Sequence, residues 1–235
     1  MTKDEVLLEL KKYGSEQTKN TFIKHGAKEP LFGVKVQDLK KILKKEKRNH
    51  ELSLELYATG NSDAMYLAGL MADEGQITKQ QLEDWVDKAY WSYLSEYTVP
   101  WIAAETDHGL ELGLKWIRSE KETIASAGWG TLSYYAGVNI DEDLDIETYV
   151  ELLDTVAREI HGAPNRVRYT MNGFVIAVGT YIKELTEKSK EIAKKIGKIS
   201  VDMNGTACKV PLANDYIEKA IKMGRIGKKR KTARC

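Results

Sequence analysis

Glu96 is the one carboxylate in an aromatic run, Tyr90-Trp91-Ser92-Tyr93-Leu94-Ser95-Glu96-Tyr97-Thr98-Val99-Pro100-Trp101. If this run is helical, some of Trp91, Tyr93, Tyr97 and Trp101 share a face with Glu96, because residues three or four apart are neighbours on a helix. A carboxylate in an aromatic setting can stabilise positive charge developing on a sugar or a base, the electrostatic work of cleaving a glycosidic bond. Aromatic faces also stack on nucleobases. The same spacing equally suits a packed core with Glu96 as a solvated helix residue.

A second chemical signal lies in how charge is distributed. The net charge of +1 hides a segregation: +6 over residues 1–50, −16 over 51–162 and +11 over 163–235. From Lys219 onward there is no acidic residue, and the tail carries Lys228, Lys229, Arg230 and Lys231. Arg166 and Arg168 follow Gly162-Ala-Pro-Asn165 at an expected helix start, where side chain and N-terminal amides can meet phosphate oxygens together. Two basic ends around an acidic middle predict a protein that meets a polyanion with its termini and C-terminal third. A frayed, solvated tail is the plain alternative.

Other candidate chemistry is weak. The four histidines match no metal spacing. Asp141-Glu142-Asp143-Leu144-Asp145 lacks the glycine and the final glutamate of a calcium loop, and reads as a helix-opening acidic cluster. Gly33-Val-Lys-Val-Gln-Asp38 lacks the glycines and the Lys-Ser/Thr pair of a phosphate loop. None of these patterns predicts a metal site.

The elements that must position these residues read as helices. Leu82, Trp85, Val86 and Ala89 follow helical spacing behind a Thr78/Gln81 capping box. Ser119 with Glu122 is expected to open a helix, Asp145 to cap another, Gly197 to end one, and Pro211 to sit in the first turn of the last. Strand alternation is nearly absent. Breaks recur so as to leave about two helices per 35–45 residues, the rhythm of stacked helix pairs. The fold class expected is all-α: an α-α superhelix of HEAT-like repeats with a concave groove, one domain over 1–235, and a basic tail from about residue 225. The N-terminus has charges where a leader would need apolar residues, no apolar run suits a bilayer, and Cys208 and Cys235 have no partner spacing. A cytoplasmic, monomeric protein with free thiols and no membrane contact is the expectation.

Three stretches carry a family resemblance: Leu31-Phe-Gly-Val-Lys-Val-Gln-Asp-Leu-Lys40, Trp91 to Trp101, and Arg168-Tyr-Thr-Met-Asn-Gly-Phe174 running on to Gly179. Together with the closing Gly227-Lys-Lys-Arg-Lys-Thr-Ala-Arg-Cys235 they resemble the bacterial DNA alkylation repair family nearly end to end. The resemblance implies HEAT-like repeats around a basic groove for duplex DNA and, in active members, cofactor-free excision of cationic N3- and N7-alkylpurines. It places the family's catalytic Asp on Glu96 and cleft tryptophans on Trp91 and Phe174; Ser92 replaces a further tryptophan, and Ser126 falls where an arginine is expected. Tyr93 and Trp101 complete the expected aromatic cleft. What this implies is a binder of damaged or distorted duplex DNA with weak or absent base excision. A working alkylpurine glycosylase using Glu96, or a protein-binding scaffold, are the alternatives.

Overall fold

The structure is a computed structural model describing residues 1–235. It is wholly helical: α1 (Lys3–Tyr13), α2 (Glu16–Lys24), α3 (Val36–Glu46), α4 (His50–Ala58), α5 (Ser62–Met71), α6 (Lys79–Lys88), α7 (Val99–Ala104), α8 (Gly109–Trp116), α9 (Glu122–Val138), α10 (Ile146–Glu159), α11 (Asn165–Tyr181), α12 (Thr186–Ile196) and α13 (Ala213–Lys222). A π-helical turn, Tyr93–Thr98, leads directly into α7. There is no strand.

Expected boundaries are mostly realised by the physics that predicts them. Thr78 and Gln81 form a reciprocal capping box on α6, Asp145 accepts from the Thr148 amide to cap α10, and Gly197 ends α12 at φ +59°. Two boundaries differ. Ser119 does not cap α9; its hydroxyl turns to the Lys121 amide, and α9 starts at Glu122. Pro211 stays outside α13, its carbonyl held by Asn172 Nδ2 at 2.9 Å.

Consecutive helices pack as pairs, and like members of successive pairs pack side by side. Thus α5, the π turn with α7, α9, α11 and α13 form one layer, with α4, α8, α10 and α12 behind it. Two apolar clusters fill the stack, one from Val6 to Ala127 and one from Ala125 to Ile217, meeting at α9. Ala233, almost at the C-terminus, is buried in the first cluster.

The tail is therefore no frayed end. The Arg230 amide donates to Gly137 O, Lys229 Nζ to Ala136 O and Asp141, and the Ala233 amide to Glu105. Arg234 ends buried, its guanidinium on Glu74 at 2.7 Å, Glu105 at 2.9 Å and Ala72 O at 2.7 Å. The tail straps α9 to α5 and α7, and it uses Lys229 and Arg234 within the molecule while Arg225, Lys228 and Lys231 stay exposed.

Candidate nucleic-acid groove

Pro100 explains the shape of the chain around Glu96. In a regular helix its ring would clash with the carbonyl four residues earlier, which is that of Glu96. The turn widens instead: the Val99 amide reaches back to Leu94 O, and the Thr98 hydroxyl donates to Tyr93 O at 3.0 Å. Such π turns cluster at functional sites. Gly130 lets α9 come close here, since a Cβ at that position would press on Pro100 and on the Glu96 carbonyl at 3.2–3.3 Å.

Glu96 is neither solvated nor free. Its side chain is 2% exposed, and both oxygens accept from one guanidinium, Oε1 from Arg166 Nε at 2.7 Å and Oε2 from Nη2 at 2.6 Å. Bidentate charge-assisted pairs of this kind are the strong ones. Burial pushes the Glu96 carboxyl upward and Arg166 opposes that push. The guanidinium lies over the Tyr169 ring at 4.4 Å, and the Arg166 amide donates to Glu122 at 2.6 Å. From the other side the loop at 200–211 closes on this arginine: Asn165 exchanges two hydrogen bonds with Asp202, and Met203 Sδ sits 3.6 Å from Nη1.

Three hollows run into one another along the inner layer. The first, about 550 Å³, lies among His25, Ser92, Tyr93, Arg166 and Lys209. Tyr97 and Tyr169 separate it from the second, about 270 Å³, which holds Glu96, Tyr134, Tyr181 and Arg230. Tyr181 and Arg230 lead on to the third, about 570 Å³, lined by Lys219, Arg225 and Lys228. The groove is thus aromatic through its first two hollows, where Tyr90, Trp91 and Tyr93 add to Tyr97 and Tyr169 and Glu122 shares the first lining with Lys209, and basic at its third. Burial pushes the phenols of Tyr97, Tyr134 and Tyr169 up, that of Tyr134 to about 12, so they remain neutral hydrogen-bond donors.

The residues expected at the site separate into three groups. Glu96, Tyr93, Arg166, Arg230 and Lys228 line the groove. Trp91 touches it only at an edge; it is buried, stacked on Tyr93 at 4.6 Å, and donates to Ser62 Oγ. Trp101 and Phe174 face inward. Trp101 packs edge-on to Tyr66, and Phe174 is fully buried between Tyr149 and Trp129, so as cleft aromatics they are out of reach. Arg168, two residues past Arg166 and so about 200° around α11, lines none of the hollows. Lys229 is held by Asp141, whereas Lys231 is exposed. Ser126 is fully buried and Ser92 brings no aromatic face.

Sequence reasoning missed Tyr134, Tyr169 and Tyr181. The signal for Tyr169 was a second helical stripe: Arg166, Tyr169, Gly173, Ile176 and Thr180 recur every three or four residues on α11, beside the core stripe through Val167, Met171, Phe174 and Val178.

Stacked helix pairs around a groove that is aromatic along its length and basic at one end define a HEAT-like-repeat, groove-forming protein. The family described as DNA alkylation repair enzyme matches residues 6–190, and the chain belongs to that family. It is 37% identical to an uncharacterized protein of Listeria innocua and 38% identical to one of Listeria monocytogenes. Each match spans 94% of this chain and 97% of the relative. A solved structure described as a new family of proteins related to the HEAT-like repeat DNA glycosylases with affinity for branched DNA structures superposes with a TM-score of 0.91. Identity is 38% and coverage 100% of both chains. No helix is long and apolar enough to cross a membrane.

Proposed function

We propose that this protein binds DNA in the groove, favours branched or otherwise distorted duplexes over continuous ones, and excises alkylated bases weakly or not at all. The Glu96–Arg166 pair carries this reading. A carboxylate that assists departure of a cationic base must present uncompensated negative charge to the sugar. Here one guanidinium takes both oxygens, and turning the carboxylate outward would cost the partly buried arginine its partner. The basic end of the groove, with Lys219, Arg225 and Lys228, keeps its purpose, since cations that neutralise phosphates bind DNA of any sequence. The affinity of the related solved structure for branched DNA supports the preference for a junction.

Two measurements on the pure protein test this. Anisotropy titrations at fixed salt should show four-way junctions binding at least about tenfold tighter than a linear duplex of equal length. Methylated DNA should release no more free 3-methyladenine or 7-methylguanine than a protein-free control. Robust release that disappears in Glu96→Gln would establish a working glycosylase and refute the reading.

A further inference from the structure

The third hollow, about 570 Å³, lies at the last helix of the stack. One side of α13, through Ala213 and Ile217, is buried in the core. Its other side is uncovered: Leu212, Tyr216 and Met223 are 45%, 53% and 49% exposed, at the i, i+4, i+11 spacing of a single helix face. Tyr216 and Met223 line the hollow together with Ile176 and Tyr181 of α11. They stand two turns apart on α13, about 10 Å, a span that three extended residues cover. The end repeats of a helical stack ordinarily carry a polar outer face, so an open apolar stripe here calls for a partner.

The charge around the stripe says which kind. Lys219, Arg225, Lys228 and Arg230 line the hollow and no carboxylate does. Glu218, next to Lys219 in the chain, is occupied by Lys190 at 3.0 Å. Arg225 and Lys228 sit on a turn pinned to α11, since the Gly227 amide donates to Thr180 O at 2.9 Å. Cations alone would serve phosphates, but phosphates leave Tyr216, Met223 and Ile176 without a function. A second copy placed on this face by twofold symmetry would set like charges against one another. We infer that the third hollow docks an acidic segment of a protein partner, with carboxylates on Lys219, Arg225 and Lys228 and an aliphatic or aromatic side chain between Tyr216 and Met223. The inference goes beyond the DNA-binding reading and does not depend on it.

The test uses the full chain and labelled peptides at one salt concentration: an oligo-aspartate ending in leucine and phenylalanine, the same peptide ending in two serines, and an oligo-asparagine ending in leucine and phenylalanine. The first should bind about tenfold tighter than either of the others, the scale set by burying one large apolar side chain. Tyr216→Ser combined with Met223→Ser should weaken it about tenfold, and so should Lys219→Ala combined with Lys228→Ala. The first double variant changes half-exposed side chains, so its urea midpoint and its affinity for a four-way junction should stay as in wild type, the latter within about twofold. Equal binding of the peptides with apolar and serine ends would overturn the inference and reduce the hollow to a site for any polyanion, as would no binding of either. Loss of junction affinity in Tyr216→Ser with Met223→Ser, peptide binding being kept, would assign the stripe to nucleobases and overturn it. A wild-type dimer in sedimentation that this double variant dissolves would overturn it in favour of a second copy. Failure of the junction to bind, with the peptide pattern as expected, would refute the DNA reading alone and leave this inference standing.

Discussion

Arg166 and Arg234 each bring a cation from the basic C-terminal third to a carboxylate of the acidic middle, yet the two clamps are built differently. Arg234 is closed in, its side chain 7% exposed, shared between Glu74 and Glu105 and anchored on a backbone carbonyl. Arg166 meets one carboxylate, keeps a quarter of its side chain exposed, and lies along a tyrosine at the groove. The closed clamp can only hold the strap down. The open one holds Glu96 and at the same time shapes a surface on which a ligand can sit. Segregated charge along a chain is thus not a measure of charge free for a partner.

The largest effect that distinguishes the clamps is on stability. Arg234→Ala strips two carboxylates of their shared cation, and breaking a buried pair from one side costs about 3–5 kcal/mol. With Glu74 partly exposed, about 3 kcal/mol is expected, read as a lower urea midpoint at constant slope. A loss below about 1 kcal/mol would show the strap to be dispensable and dissolve the contrast.

Arg166→Ala should cost less, about 2 kcal/mol, because Glu96 can escape by taking a proton. Burial then holds its folded-state carboxyl above the unfolded value with nothing in opposition. The variant should therefore be most stable below the usual carboxylate range and lose stability as pH rises through the raised value, more steeply than wild type. Denaturation midpoints across acid and neutral pH check this. Replacing both partners, Glu96→Leu with Arg166→Met, should recover much of the loss, and failure to do so would mean the pair sets more of the local structure than its charges do.

The smallest effect concerns free and committed cations on one short segment. Lys228→Ala and Lys231→Ala should each lower the slope of log affinity against log salt by about 1 if they contact phosphate. Lys229→Ala should leave that slope unchanged, since its ammonium is held by Asp141 and Ala136 O. Three equal slopes would indicate that the tail lies away from the DNA.

Helix identity was legible wherever the signal is local. The Leu82/Trp85/Val86 stripe, the Thr78 box and the Asp145 cap involve residues within one or two turns of each other, and each appears as read. Glu96 stood out for its aromatic neighbours, but whether it was solvated, catalytic or clamped depended on Arg166, 70 residues away in sequence. The groove tyrosines of α9 and α11 look in sequence like more core, because an inner face of a helical stack carries the same 3.6-residue period as a buried one.

What the chain alone determined was its class: caps, stripes and breaks make helices, their rhythm makes stacked pairs, and local hydrogen-bond geometry demands no distant information. What only the tertiary structure decided was which charges are spent. Asp63 shows the same division. In the sequence it reads as an ordinary first-turn acid of α5, after Asn61 and Ser62, yet its carboxylate accepts from the amides of Phe32, Gly33 and Val34 at 2.6–3.0 Å. Ion pairs and buried acceptors are satisfied by whatever the fold brings within about 3 Å, and that proximity is set by the packing of whole helices rather than by the spacing of residues along the chain.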